Sequence, residues 1–188
     1  MSERALLILD LDETLMHASM HGLPRAADFR IGPYGALKRP HVAEFIEYCL
    51  EHYTLAVWTS SSDTYAQCAV EALFPAAARL AFLWARDHCA MELRMDGLEV
   101  AWIKNLQQVE QLGYGLDRVI AVDDSPEKYC YQPENLLPCK AFYGDSQDRE
   151  LLDLTHYLER VKSAGDLRRL ELARWKEQLG RGAAIRPG

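Results

Sequence analysis

An α/β fold built on a mostly parallel sheet flanked by helices is predicted by three features of the 188-residue sequence. Short apolar runs alternate with segments of helical periodicity, which favours βαβ units with right-handed crossovers. The runs at 5–9 and 119–122 are apolar at every position, as in strands buried on both faces of a parallel sheet. Both runs end in paired carboxylates, and open α/β sheets bind ligands at the carboxyl ends of their strands.

The other elements are predicted in chain order from periodicity and from turn residues. The segment 15–38 is rich in glycine and proline, and we expect a loop or small β-flap beside the end of the first strand. Apolar residues at helical spacing predict helices at 40–53, 63–74 and 151–161. Further apolar runs predict strands at 55–60, 80–84 and 136–142.

The region between the predicted strand at 80–84 and Gly113 is predicted to hold a hairpin and then a helix. Asp96-Gly97 between two short apolar segments is a strong signal for a two-residue β-hairpin turn. The following helix is expected to begin at Trp102 and to end at Gly113. Lys104 would then lie in a first helical turn, where anions are favoured, so it either reaches a bound anion or is a solvated surface lysine.

The chain length suits one domain, which we predict at 1–162, followed by a basic and partly helical C-terminal tail at 163–188. Residues 160–188 hold eight Arg or Lys against three Asp or Glu, so the preceding residues carry a formal charge of −12 against −7 for the whole chain. This acidic body argues against duplex DNA or an anionic membrane as the default partner. The tail leaves a nucleic-acid partner open, although a basic helix is more often a solvated end.

A cytoplasmic location is expected from the cysteines and from the hydropathy pattern. The five cysteines are odd in number, form no Cys-X-X-Cys pair, and are typical of reduced thiols in a cytosolic-type compartment. The apolar run at 5–9 lacks the small-residue cleavage site of a signal peptide. No later run approaches the length of a membrane span, so no membrane partner is expected.

Polar residues at the predicted strand ends form a candidate site. Asp10 and Asp12 follow the first strand, and Asp123 and Asp124 follow a later one. If the strands are parallel neighbours, these carboxylates meet at one edge of the sheet. Carboxylates without adjacent His or Cys specify an oxygen-rich site, which suits Mg²⁺ better than Zn²⁺.

Phosphate-binding groups are predicted at two further positions. Thr59 and Ser60 end a strand beside a helix N-terminus, where hydroxyls and free N–H groups can hold a phosphate, although simple helix capping is the commoner explanation. Lys104 supplies a cation. A hard metal ion, a cationic side chain and a carboxylate nucleophile together describe phosphoryl transfer through an aspartyl-phosphate.

These residues also resemble a known family. Asp10-Leu11-Asp12-Glu13-Thr14-Leu15 is similar to the first motif of the haloacid dehalogenase (HAD) superfamily, in the form used by its FCP/SCP-type, NLI-interacting-factor-like phosphatases. The similarity covers about 5–161 and implies a Rossmann-like HAD core with a small β-hairpin insertion. Other similar segments follow in the family's order and approximate spacing, at 38–45, around Thr59, and at 103–106, 122–126 and 133–135.

The resemblance implies a role for each matching residue. Asp10 would attack phosphorus and become the aspartyl-phosphate. Asp12 would protonate the leaving oxygen and then activate the hydrolytic water. The groups that would bind phosphoryl oxygens are Thr59, Ser60 and Lys104.

The resemblance also implies a Mg²⁺ site. Its ligands would be Asp10, the backbone carbonyl of Asp12, and Asp124, with Asp123 as an indirect or water-mediated partner. SCP-type members usually have Asn at the position of Asp124, whereas FCP-type members have Asp, so the subfamily stays open. The segment before Lys38 is also shorter than in SCP-type enzymes.

The spacing of the motifs favours a macromolecular substrate. Only 44 residues separate Thr59 from Lys104, and a helix, a strand and a hairpin occupy them, so no large cap domain fits. An open cleft admits a phosphorylated side chain, and we therefore expect a Mg²⁺-dependent protein Ser/Thr phosphatase acting on a phosphorylated protein or peptide. The alternatives are a phosphatase of nucleic-acid ends or small metabolites, and a non-catalytic HAD-fold interaction protein such as the family members that resemble mitochondrial import receptors.

Overall fold

The computed structural model describes residues 4–93 and 100–180. These residues form the following strands, in chain order: β1 (Leu6–Leu9), β2 (Met16–Ser19), β3 (Phe29–Ile31), β4 (Tyr34–Lys38), β5 (Thr54–Trp58), β6 (Leu80–Trp84), β7 (Ala90–Leu93), β8 (Val100–Ile103), β9 (Val119–Asp123) and β10 (Leu136–Pro138). The α-helices among them are α1 (Val42–His52), α2 (Asp63–Leu73), α3 (Gln107–Glu110), α4 (Glu150–Val161) and α5 (Trp175–Gly180). The predicted α/β class is confirmed.

The central sheet has five parallel strands in the order β10-β9-β1-β5-β6. Alternate residues of β1 enter two different hydrophobic clusters, with Leu7 and Leu9 in one and Leu6 and Ile8 in the other. Helices α1, α2 and α4 contribute buried side chains to the first cluster, and Val109 of α3 contributes to the second. Because apolar groups cover both faces of the sheet, its central strands are apolar at successive positions.

Two small antiparallel sheets are formed by segments that connect strands of the central sheet. The segment after β1 forms a three-stranded sheet in the order β2-β4-β3, as expected for a β-flap. Strands β7 and β8 pair in register from Ala90 opposite Ile103 to Leu93 opposite Val100, as expected for the hairpin insertion. The predicted turn at Asp96-Gly97 lies outside the described residues.

The prediction of a helix beginning at Trp102 is wrong. Trp102 and Ile103 belong to β8, where they pair with Met91 and Ala90, and the helical residues of α3 begin only at Gln107. Bulky aromatic and β-branched side chains favour such cross-strand pairing. Lys104 therefore follows the end of a strand, and the unfavourable position of a cation in a first helical turn does not arise.

The segment after α4 packs against the domain. Leu167, Leu172 and Trp175 are buried in the first hydrophobic cluster, which also contains side chains of α1, α2 and α4. The indole N–H of Trp175 donates to the Pro138 carbonyl at 2.7 Å. The Lys176 ammonium donates to Glu150 at 2.7 Å. The predicted boundary at residue 162 stays a prediction, but the chain from 167 to 175 shares the domain's core, and 181–188 lie outside the described residues. Across the described part of the chain, no helix has both the length and the apolar character needed to cross a membrane.

Candidate active site

The carboxyl ends of β1, β5 and β9 lie side by side. In the sheet register Leu9 lies opposite Val57 on one side and opposite Val122 on the other. Asp10 directly follows Leu9, and its backbone N–H donates to the Val122 carbonyl at 3.0 Å. The structure thus places Asp10 between the strand that ends in Asp123 and the strand that leads into Thr59.

Lys104 connects the two carboxylates at the centre of the site. Its ammonium donates to Asp10 Oδ1 at 2.8 Å and to Asp123 Oδ2 at 2.5 Å, and all three side chains are buried. Burial alone would lower the pKa of Lys104, but the attraction of Asp10 and Asp123 raises it above its ordinary value. Lys104 is therefore a charged group whose position is fixed by two carboxylates.

The two carboxylate oxygens of Asp10 differ in their hydrogen bonding, because Oδ1 accepts from Lys104. Oδ2 is buried and has no hydrogen-bond partner among the described residues. Burial raises the pKa of Asp10 to about 6, repulsion by Asp123 adds to the effect, and Lys104 and Lys128 oppose it. A buried carboxylate oxygen without a donor is costly unless a ligand satisfies it.

Asp124 is half-buried close to Asp10 and Asp123. One carboxylate oxygen from each of Asp10, Asp123 and Asp124 lies within 4.8 Å of the other two. Burial raises the pKa of Asp124 to about 7, with repulsion by Asp123 and Asp10 as the next causes. The ionised form of a third carboxyl group in this space is favoured only when a further positive charge lies close to it.

The donor set fits a divalent cation that prefers oxygen ligands. Asp123 already accepts bonds at both oxygens, from Lys104 at Oδ2 and from the Ser125 backbone N–H at Oδ1, over 2.9 Å. This leaves the Asp10 and Asp124 carboxylates as the side chains that can hold a cation such as Mg²⁺ directly. Although burial would raise the pKa of Asp123, Lys104 and Lys128 lower it, as expected for a residue that stays ionised as a supporting partner.

Asp12 lies at the same edge of the sheet, but its carboxylate is held elsewhere. The Ser61 hydroxyl donates to Asp12 Oδ2 at 2.8 Å, and the Tyr65 hydroxyl donates to Oδ1 at 2.5 Å. Ser61 precedes α2 and Tyr65 lies in its first turn. The Asp12 carboxylate is therefore held by the start of α2 and is not one of the three clustered carboxylates.

The predicted phosphate-binding residues lie at the same edge. Thr59 is buried directly after β5, and its Oγ1 accepts from the Ser61 backbone N–H at 3.1 Å. Ser60 is half-buried, and its carbonyl accepts from Arg86 Nε at 2.6 Å. Ser60 also lines a polar cleft of about 550 Å³ together with Asp12, Glu13, Ser61, Tyr65, Arg86 and Trp102.

A buried ion pair holds the turn that follows Asp12. Arg39 donates to both oxygens of Asp148 at 2.8 and 2.9 Å. It also donates to the Thr14 carbonyl at 2.9 Å and to the Lys140 carbonyl at 2.7 Å. Glu13 in this turn has a left-handed backbone with φ of 58°, a conformation that side chains rarely adopt without such support.

The structure places Asp10, Asp123, Asp124 and Lys104 together. The other predicted residues lie at the same edge of the sheet with hydrogen-bond partners of their own: Asp12, Thr59 and Ser60. The structure also adds residues that the sequence did not predict. Ser61, Tyr65 and Lys128 contact the carboxylates directly, and Arg39 supports their turn. Lys128 could have been suspected because it follows Asp124 by four residues, a short turn away. The sequence carries no comparable signal for the direction of the Tyr65 side chain.

Comparisons with known proteins show the family to which the chain is similar. The family described as NLI interacting factor-like phosphatase matches residues 5–168. CTD nuclear envelope phosphatase 1 of Xenopus tropicalis is 31% identical over 181 residues, which cover 88% of this chain and 70% of that protein. CTD small phosphatase-like protein of Homo sapiens is 32% identical over 168 residues, which cover 86% of this chain and 57% of that protein.

A solved structure shows the same fold. The structure of Fcp1, an essential RNA polymerase II CTD phosphatase, matches 95% of this chain and 52% of its own with a TM-score of 0.57 and 16% identity. At this identity the match supports the fold alone. The family match covers seven-eighths of the sequence and includes every strand end described above. On these grounds the chain belongs to the NLI interacting factor-like phosphatase family.

Proposed function

We propose that this protein is a Mg²⁺-dependent phosphomonoester hydrolase that acts through an aspartyl-phosphate on phosphorylated serine or threonine in proteins. The observation that carries the proposal is the arrangement of Asp10. One of its oxygens accepts from a buried lysine, and the other is buried with no hydrogen-bond partner among the described residues. Asp124 lies close to Asp10, at the edge of the sheet where α/β folds bind ligands. Membership of a phosphatase family supports this interpretation of the site.

The residues divide the chemistry between them. An Asp10 oxygen would form the bond to phosphorus while the bond from phosphorus to the leaving oxygen breaks, and Asp12 would give that oxygen its proton. In the second step Asp12 would take a proton from water, whose oxygen attacks phosphorus and releases Asp10. Lys104 and Thr59 would bind phosphoryl oxygens. Mg²⁺, held by Asp10 and Asp124 and by the Asp12 carbonyl, would supply positive charge against the anionic phosphoryl group.

A phosphoprotein is the substrate class that we favour. Relatives carry the names CTD nuclear envelope phosphatase and CTD small phosphatase-like protein, and another is named for the carboxy-terminal domain of RNA polymerase II polypeptide A. Within the described residues between Thr59 and Lys104, the only elements are α2, β6, a short 3-10 turn, β7 and β8, and none forms a separate covering domain. A cytoplasmic location stays a prediction, because the name of the Xenopus tropicalis relative instead refers to the nuclear envelope.

A substrate panel tests the proposal. The purified chain is assayed with phosphoserine and phosphothreonine peptides, a 5′-phosphorylated oligonucleotide and a set of phosphorylated metabolites, with Mg²⁺ or with excess EDTA. We expect peptide hydrolysis with Mg²⁺, a loss of at least about 100-fold with EDTA, and recovery when Mg²⁺ is restored. A clear preference for oligonucleotide or metabolite would overturn the substrate class, and hydrolysis that EDTA leaves unchanged would overturn the metal requirement.

Tyr65 is expected to support Asp12. In Tyr65→Phe one of the two hydroxyl donors that orient the Asp12 carboxylate is lost, and we expect kcat to fall about tenfold with a smaller change in KM. Steady-state kinetics on a phosphopeptide measures this. Tyr48→Phe is the matched control, because it removes a Tyr–carboxylate hydrogen bond to Glu159 between α1 and α4. Equal kcat values for Tyr65→Phe and the control would contradict the role.

A further inference from the structure

Lys128 brings a second ammonium group to the carboxylate cluster. It lies in the 3-10 turn Pro126–Tyr129 that follows β9, and its side chain is only 17% exposed. Its backbone carbonyl accepts from the Lys104 N–H at 2.8 Å, which ties this turn to the end of β8. The side chain of Lys128 therefore belongs to the site and is not a solvated surface group.

The two lysines face different oxygens. Lys104 makes close hydrogen bonds to Asp10 Oδ1 and Asp123 Oδ2. The Lys128 ammonium instead lies 3.8 Å from Asp10 Oδ2 and 3.4 Å from Asp123 Oδ1. Its contacts are longer, and one of them is to the Asp10 oxygen that has no hydrogen-bond partner. Lys104 is thus held by short hydrogen bonds to two carboxylates, whereas Lys128 makes one long hydrogen bond to Asp123 and lies near the Asp10 oxygen that a metal ion could still use.

We propose that Lys128 weakens the binding of Mg²⁺ to the Asp10–Asp124 site and so sets the Mg²⁺ concentration at which the site is filled. This inference rests on the proposed function. The ammonium neutralises part of the charge that attracts the metal, and it repels any cation that approaches Asp10 Oδ2. In a partly buried site, like charges a few ångströms apart change a binding constant by about tenfold or more.

The test measures Mg²⁺ binding directly, without turnover. Isothermal titration calorimetry at constant ionic strength compares the wild-type protein with Lys128→Met, Lys128→Arg and Lys162→Met. We expect Lys128→Met to bind Mg²⁺ about tenfold more tightly, and Lys128→Arg, which keeps the charge, to bind like the wild type. Lys162→Met controls for the loss of one positive charge, because Lys162 pairs with Glu159 on an exposed surface at the end of α4.

Thermal unfolding supplies a second measurement that remains informative if Lys128→Met is less stable. Without Mg²⁺ this variant should unfold at a lower temperature, because the carboxylates lose a compensating charge. Added Mg²⁺ should then raise its unfolding temperature more than that of the wild type. An unchanged or weaker Mg²⁺ affinity in Lys128→Met overturns the inference, including the case in which the variant instead loses affinity for inorganic phosphate.

The same titrations separate this inference from the proposed metal site. Asp124→Ala should bind Mg²⁺ at least about tenfold more weakly than the wild type, because it removes a direct ligand. Suppose that the wild type binds Mg²⁺ and Asp124→Ala does not. Equal Mg²⁺ affinities in the wild type and Lys128→Met would then overturn the role of Lys128 but leave the metal site supported. If the wild type binds no Mg²⁺, both the inference and the metal requirement of the proposed function fail.

Discussion

Replacing Asp10 with asparagine is expected to reduce the hydrolysis of an aryl phosphate or phosphopeptide by at least about 1,000-fold. The asparagine amide has nearly the shape of the carboxylate, and its oxygen can still accept from Lys104. It cannot form the bond to phosphorus that the proposed mechanism requires. The measurement is kcat/KM with Mg²⁺, and the control is Asp117→Asn, which changes an exposed residue just before β9, at the opposite end of the sheet.

The stability of this variant distinguishes lost chemistry from lost folding. The pKa of Asp10 is raised to about 6, so folding costs free energy when this side chain is ionised, and the neutral form is more favoured in the folded protein than in the unfolded chain. Near neutral pH and without Mg²⁺, Asp10→Asn should therefore unfold at the same temperature as the wild type or at a higher one. A variant that is folded and still turns over at the rate of Asp117→Asn would show that Asp10 is not the nucleophile.

Replacing Lys104 with methionine is expected to impair both activity and folding. The change leaves Asp10 and Asp123 buried without the ammonium that bonds to both. Removing one partner of a buried ion pair typically costs about 3–5 kcal/mol of unfolding free energy. Activity should fall by at least about 100-fold, because the cation for the phosphoryl oxygens is also lost. Chemical denaturation and kinetics measure the two effects, with Lys162→Met as the surface control.

The pH dependence of the Lys104→Met defect has a predictable sign. In the wild type the pKa of Asp123 is lowered, so its contribution to stability is present above its unfolded pKa and is lost as pH falls through the folded value. In the variant at least one of the facing carboxyls should have a raised pKa. Its protonated form is then favoured in the folded protein, and stability is lost as pH rises through that value.

The difference in unfolding free energy between wild type and Lys104→Met should accordingly be largest near pH 8 and shrink towards pH 5. Adding Asp10→Asn to the variant should restore part of the lost stability, because only one buried carboxylate then remains beside the substitution. A defect that is constant with pH and unchanged in the double variant would show that Lys104 acts through packing and not through charge.

Much of this site could be predicted from the sequence because its residues lie at the ends of strands. A strand such as β1 buries both faces, so its continuous apolar run marks its position, and Asp10 and Asp12 mark its end. The same reasoning predicted Asp123 and Asp124 at the end of the strand that the structure shows as β9. Parallel pairing then forces such ends to one edge of the sheet, which is why local patterns could predict a contact between distant residues.

Other features depend on contacts that no local pattern encodes. The expected helix at Trp102 is a strand because Trp102 pairs with Met91 across the hairpin, and such pairing outweighs a short stretch of helical spacing. Arg39 and Asp148 lie 109 positions apart in the chain and meet only when the segment before α4 packs against the turn after β1. A polar side chain on the protein's surface and one in a buried network look alike in sequence.

The fold class and the ends of the central strands could be read from the sequence alone, together with the proposed set of carboxylates, hydroxyls and lysine, because apolar periodicity and strand-terminal residues are local properties. Three contacts depend on the packed fold: Lys104 bridges Asp10 and Asp123, Tyr65 and Ser61 bind Asp12, and the Lys128 ammonium lies near Asp10 Oδ2. The physical reason is that electrostatic and hydrogen-bond partners are chosen by distances between side chains from different elements, and those distances exist only once the sheet, the hairpin and the turns have packed together.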